Sequence, residues 1–393
     1  MTAVPRAKAN EAHASEAETE NWSWRLRKWI VKKGISIMCP DSSPLSTNIA
    51  ADIPLFRAGM RLAYLKALAA LGISNFVAHS GLGYNFVCHV GDLAAFPFYH
   101  PGAYRAELEL ASAWLRMTEQ PLAYDVGANE GFFACHLAQM IGRRGKIYAF
   151  EPVPETFAKL AYSVSRLGLT ARVKPIPAAV LDSSGLVQLS WSDRNSLEAQ
   201  VIPRLSRRAD HRLTWADAIP LDTFCALVGS RPSLVKIDAE GSEAAVLRGA
   251  AHLLASSEPP AILFEFNPIT LAECGEDGDT LAANLTGHIL YYVDDLRAQM
   301  LPFGEMVENL RKISWICNLF AVPRADAAVR WWAAVSDQVR QRLAMRPKKV
   351  QLSSGARLRL ASNLLDEAIR CGHVSSRWRR SARTVFSHRK QRD

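Results

Sequence analysis

Asp125, Gly127, Asn129 and Gly131 fall in the stretch Leu122 to Phe133, where a short apolar run breaks into a loop and a helical pattern begins. Glycines at 127 and 131 let the backbone turn sharply and let a ligand approach with no Cβ in the way. The helix from Phe132 then points unpaired N–H groups at that ligand. Twenty residues after Gly131, a second apolar run, Lys146 to Phe150, ends in Glu151. A carboxylate at that strand end can accept both hydroxyls of a ribose, so the layout suits a nucleoside.

Charge selects among nucleosides. A dinucleotide pyrophosphate requires a G-x-G-x-x-G turn with no acids against it. Here the spacing is G-x-x-x-G, Asp125 and Glu130 flank the loop, and no Lys or Arg occurs from Pro121 to Ile141. Carboxylates stabilise a nearby cation and repel phosphates. The expected ligand carries a sulfonium and an amine, as S-adenosylmethionine does, whereas NAD and ATP fit poorly.

Two later runs also end in acid. Ser233 to Ile237 leads into Asp238-Ala239-Glu240-Gly241 and a helix with Glu243 in its first turn, and Ala261 to Phe264 leads into Glu265. Each delivers a carboxylate to the same sheet edge. Asp238 and Glu240 are the candidate catalytic groups, because a hydroxyl acceptor becomes nucleophilic as its proton leaves and a nearby carboxylate can take that proton. The alternatives are that Asp238 binds the ligand's amino-acid end or orders water, and that Glu240 braces the turn through backbone N–H groups. Asp182, after another strand, is the candidate partner of the adenine amine. No His or Asp stands at metal-ligand spacing here, so no metal is expected.

These groups require strands and helices in alternation. From the glycine loop onward, apolar runs alternate with helical patterns: a helix from Phe132 to Ile141, a strand ending at Glu151, a helix from Glu155 to Leu167, and a strand from Arg172 to Val180. Such repetition builds a mostly parallel sheet wound on both faces, with its site beyond the carboxyl strand ends. The Arg-rich stretch from about 192 to 217 reads as a long loop. Ile289 to Asp295 and Trp315 to Pro323 read as two strands, antiparallel at the sheet edge.

The flanks differ in composition. Residues 1–20 hold little to bury and are expected to be disordered. Residues 21–119 form a mixed extension or cap, beginning with Trp22, Leu26, Trp29 and Ile30 on one helical face and Arg25, Lys28 and Lys32 towards another. A face of that kind fits docking on the main domain or a peripheral membrane contact through 21–33. From Arg340 to Asp393 there are fifteen Lys and Arg against three acids, and segment 325–393 reads as a basic, helical extension. That concentration accounts for much of the net charge of +9, so the charge does not point to a specific nucleic acid. The seven cysteines are dispersed, with no C-x-x-C pair, and no apolar run is long enough to span a bilayer. Reduced thiols in a cytoplasmic protein are expected.

Several motifs occur together in order: Asp125-Val126-Gly127-Ala128-Asn129-Glu130-Gly131, Phe150-Glu151-Pro152, Val235-Lys236-Ile237-Asp238-Ala239-Glu240-Gly241-Ser242-Glu243 with Leu247-Arg248-Gly249-Ala250, and Asn318-Leu319-Phe320-Ala321-Val322-Pro323. In this the chain resembles the FkbM family of S-adenosylmethionine-dependent methyltransferases over residues 120–324. The resemblance implies a Rossmann-like α/β sheet of seven strands, six parallel and one antiparallel, with helices on both faces. It also implies O-methylation of a hydroxyl on a sugar, glycan or other small-molecule acceptor, with the cofactor held by the glycine loop and Glu151. The rival from another class is a non-catalytic interaction protein that keeps the fold and binds membrane or polyanion through its ends.

Overall fold

The computed structural model describes residues 55–80, 82–91, 104–192, 195–201, 212–294, 299–302 and 317–324. The expectations for the tail 1–20, the tryptophan-rich segment 21–33 and the basic segment 325–393 lie outside these residues.

The described chain begins with helix α1 (Leu55–Ala70), hairpin β1 (Asn75–His79) and β2 (Asn85–His89), and helix α2 (Arg105–Arg116). The expected alternation follows: β3 (Leu122–Val126), α3 (Phe132–Ile141), β4 (Lys146–Phe150), α4 (Pro154–Arg166) and β5 (Val173–Ile176). Next come β6 (Ala179–Val180), β7 (Gly185–Ser192), β8 (Asn195–Val201), β9 (Arg212–Ile219) and α5 (Leu221–Val228). The remainder is β10 (Leu234–Ile237), α6 (Glu243–Arg248), α7 (Ala251–Leu254), β11 (Ala261–Phe266), α8 (Pro268–Glu273), α9 (Gly278–Ala283), β12 (His288–Asp294), β13 (Gln299–Pro302) and β14 (Cys317–Pro323).

The main sheet has the order β13-β12-β14-β11-β10-β3-β4-β5. Strands β11, β10, β3, β4 and β5 are parallel neighbours. Strand β14 runs antiparallel between β11 and β12, which returns β12 to the common direction. These seven strands are the expected sheet, with the antiparallel strand one place in from β12. The short antiparallel β13 adds an eighth strand at the edge.

The chain steps outward from β3 to β4 and β5, and later from β10 to β11, so strand order reverses between β3 and β10. Open α/β sheets bind ligands beyond such a point. Register aligns Val126 with Phe150 and Ile237, and Ile237 with Phe264, so Gly127, Glu151, Asp238 and Glu265 emerge at one edge.

Alternation along the strands feeds two apolar layers. Ala123 packs with Leu108, Leu115, Phe133 and Leu160 of α2, α3 and α4, while Tyr124 packs with Phe224, Val246 and Leu253 of α5, α6 and α7. Tyr124, Phe150, Phe264 and Phe320 are fully buried, each worth about 1.5–3 kcal/mol relative to exposure. The β1–β2 hairpin lies on the helical layer instead of the sheet edge: Gln139 Nε2 donates to the Asn85 carbonyl, and His89 bonds Ser163 Oγ at 3.1 Å. His89 is thus a satisfied core histidine.

The stretch read as a long loop contains strands. β9 pairs antiparallel with β7, β7 with β8, and β6 joins β9, giving a second sheet of order β6-β9-β7-β8. One face of β9 is solvated, with Leu213 and Trp215 exposed and only the small Ala216 and Ala218 buried, so its sequence shows no apolar stripe. Among the described residues, Cys88, Cys135, Cys225, Cys274 and Cys317 are free thiols, and no helix is long and apolar enough to cross a membrane.

Candidate active site

The loop after β3 is pinned between two strands. Gly127 and Ala128 N–H both donate to the Phe150 carbonyl, at 3.1 and 2.9 Å, and Asp238 N–H donates to the Val126 carbonyl at 3.0 Å. Gly127 has φ +74°, and a Cβ there would lie 1.8 Å from the Asp238 backbone oxygen. Only glycine fits so close an approach. Asn129 is left-handed without being glycine, at φ 50°, and its Oδ1 accepts from Glu130 N–H at 2.7 Å. Asn tolerates that region through such local bonding.

Glu151 is built into this loop. Its Oε2 accepts Asn129 N–H at 3.0 Å and its Oε1 accepts Val153 N–H at 2.9 Å. Burial pushes its carboxyl up to about 7, although both N–H bonds pull the other way. Each carboxylate oxygen has two acceptor positions, so one on each remains for a ligand hydroxyl.

The loop acids are not bare. Lys159 of α4 pairs with Glu130 at 2.8 Å, and Lys236 of β10 lies 3.4 Å from Asp125 Oδ1. The sequence carries no cation within the loop, but the fold brings two from elsewhere. Asp125 is 1 % exposed, and both its oxygens lack a hydrogen bond of good geometry, so it is a buried partner of Lys236 instead of an accessible contact. Burial raises its carboxyl and Lys236 opposes that rise. Lys236 also reaches Asp238 Oδ2 at 3.1 Å and the Gly127 carbonyl at 3.4 Å, with its ammonium 5.6 Å from the Phe133 ring centroid. Burial pulls that ammonium down, but Asp238 and Asp125 outweigh it and keep it charged.

The turn after β10 is braced by Glu243. Glu243 Oε1 accepts Ala239 N–H at 3.0 Å, and its two oxygens accept Gly241 N–H at 3.2 and 3.0 Å. Burial pushes Glu243 up to about 7. Glu240 is left-handed at φ 49°, and non-glycine strain of this kind collects at functional sites. The carboxylate oxygens of Asp238, Glu240 and Glu265 lie within 4.8 Å of one another, a donor set of the type that can hold a metal ion. Burial, then Asp238 and Glu243, pushes Glu265 up to about 8.

Sequence reasoning missed Tyr104 and Glu107, which come from the start of α2. Tyr104 is left-handed at φ 59°, its ring lies 5.6 Å from that of Phe132, and its phenol is raised by burial and by Asp238. Glu107 Oε1 accepts from Asn318 Nδ2 at 2.6 Å. No spacing signals these residues, because they precede the loop by some twenty positions. Asp182 is half-exposed and bound by Arg248 Nε at 3.0 Å, with Arg248 also pairing Glu276.

Residues 125–300 match the model of the methyltransferase FkbM domain. This segment is similar to the FkbM methyltransferase family. The matched segment holds the glycine loop, Glu151, Lys236 and the acid cluster, while Tyr104 and Asn318 approach from outside it. Over 144 residues the chain is 28% identical to the hexuronic acid methyltransferase AglP of Haloferax volcanii, covering 35% of this chain and 53% of that protein. The chain thus spans about half the length of this curated relative. Among solved structures, a methyltransferase FkbM from Methylobacillus flagellatus shares 14% identity at a TM-score of 0.33, over 56% of this chain and 50% of that one. A SAM-dependent methyltransferase from Agrobacterium tumefaciens shares 10% at a TM-score of 0.34, over 63% and 69%.

Proposed function

We propose that the chain transfers a methyl group from S-adenosylmethionine to a hydroxyl of a sugar, glycan or other small-molecule acceptor. The observation that carries this reading is Glu151 joined to the glycine loop at the switch point, with lone pairs left for two ribose hydroxyls. The family match supports the reaction class, and the name of the Haloferax relative directs attention first to hexuronic acids.

When bound, the cofactor supplies an electrophilic methyl on a cationic sulfur. The chain's own task is to hold the acceptor oxygen in line with that carbon and sulfur, and such positioning supplies much of the rate. Glu151, the backbone around Gly127, Asn129 and Gly131, and the α3 N-terminus bind and orient the nucleoside, with Asp182 beside the adenine. Asp238 or Glu240 takes the acceptor proton as the new O–C bond forms. The site works in the cytoplasm.

Calorimetric titration with S-adenosylmethionine in EDTA-containing buffer, with NADH and ATP as controls, is expected to give selective micromolar binding. Methyl transfer is then sought on methyl hexuronosides and neutral glycosides by mass spectrometry. A folded sample that binds no S-adenosylmethionine would sink the reading and favour an interaction protein.

Glu151 gives a sharper check. Glu151→Gln keeps the shape and one acceptor oxygen but sets its NH2 against one of the two buried N–H groups, so it is expected to weaken S-adenosylmethionine about tenfold and to cost about 1–3 kcal/mol of stability. Glu151→Ala strands two buried N–H groups at about 1–3 kcal/mol each, so it should lose both binding and melting temperature. Unchanged affinity in folded Glu151→Gln rejects the ribose assignment.

A further inference from the structure

An ammonium is an unexpected neighbour for a sulfonium, yet Lys236 is buried at the switch point beside Gly127. Its surroundings explain it. The three N–H groups of Lys236 face Asp125 at 3.4 Å, Asp238 at 3.1 Å and the Gly127 carbonyl at 3.4 Å. One positive charge is shared by two carboxylates, of which Asp125 is buried and without a hydrogen bond of good geometry. Asp238 in turn has Glu240 and Glu265 within 4.8 Å. Lys236 therefore keeps the buried Asp125 tolerable without neutralising the edge.

We propose that Lys236, shared between Asp125 and Asp238, leaves this sheet edge with a surplus of negative charge, and that the surplus lets the site distinguish the sulfonium donor from its thioether product. This rests on the reading that S-adenosylmethionine binds at the switch point. In the transfer, the acceptor oxygen forms its bond to the methyl carbon, and the C–S bond breaks with its electron pair kept by sulfur. The acceptor proton passes to the carboxylate of Asp238. One positive charge and one negative charge vanish together. The product S-adenosylhomocysteine then lacks the charge the edge attracts, which favours its exchange for a fresh donor. A unit charge several ångströms away in a partly buried site is worth about a factor of ten or more in affinity.

Calorimetry on the full-length chain with S-adenosylmethionine and S-adenosylhomocysteine tests this without any acceptor. Asp238→Asn removes one negative charge at constant shape. It is expected to weaken S-adenosylmethionine roughly tenfold and S-adenosylhomocysteine no more than about twofold. The double variant Lys236→Met with Asp125→Asn removes one charge of each sign, and should keep the ratio of the two affinities within about twofold of the wild type. A purely structural role would weaken both ligands together, so equal losses in Asp238→Asn overturn the inference. A large change of ratio in a folded double variant also overturns it, and Asp238→Asn alone decides the matter if the double variant does not fold. Failure of the folded wild type to bind either ligand overturns the cofactor reading itself, and this inference with it.

Discussion

Gly127→Ala is expected to abolish S-adenosylmethionine binding and to lower the melting temperature by roughly 10 °C. Two costs add. At φ +74° an alanine enters the left-handed region, which costs about 1–2 kcal/mol. Its Cβ would also stand 1.8 Å from the Asp238 oxygen, which is main chain and cannot rotate away. Relief requires parting β3 from β10, yet the same few residues hold the Asp238 to Val126 hydrogen bond and the Lys236 contacts. A total on the order of 4 kcal/mol follows. Circular-dichroism melting and calorimetric titration read the two effects. A variant with wild-type melting temperature and affinity would show that the loop does not need this approach, and the geometry of the site would have to be rebuilt.

The parts of the site that were legible in the sequence are those in which one residue type is demanded by backbone geometry. Gly127, Gly131 and Glu151 sit at the junctions of apolar runs and helical patterns, and the sheet follows because buried parallel strands read as continuous apolar stretches. Asp238 and Glu265 were legible as strand ends for the same reason. What stayed hidden depends on distance in sequence. Glu240 and Glu243 are both acids in one turn, and only the folded chain shows that Glu243 accepts the Ala239 and Gly241 N–H groups. Lys159 and Lys236 discharge the loop acids from 29 and 111 residues away, so the bare loop overstated its own negative charge. Strand β9 escaped because Leu213 and Trp215 are exposed while its buried positions are only Ala216 and Ala218, which leaves no large apolar stripe to see. Arg248 claims Asp182 across 66 residues, a pairing that no local pattern announces.

The stability of the ligand-free protein is expected to fall as pH rises from about 5 to about 8, opposite to the trend set by ordinary surface carboxylates. Glu151 and Glu243 are pushed up to about 7, and Glu265 to about 8, from an ordinary value of 4.5, in each case chiefly by burial. A carboxyl raised in the folded state holds its proton there while the unfolded chain releases it. Between 4.5 and 7 the folded protein binds more protons than the unfolded one, so stability declines with rising pH; Glu265 extends the decline to about 8. Each group contributes on the order of 3–5 kcal/mol, fully present below 4.5 and lost as pH passes through the folded value. Together they should lower the melting temperature by roughly 10 °C or more across the window. Glu265→Gln, which leaves the braces of Glu151 and Glu243 intact, should flatten the upper part of the curve alone. A bound sulfonium favours the ionised acids, so the stabilisation given by saturating S-adenosylmethionine should grow as pH rises over the same range. Melting temperatures that stay level or climb from pH 5 to pH 8 without ligand would refute the raised carboxyls. A ligand shift independent of pH would separate the acid cluster from the cofactor's charge.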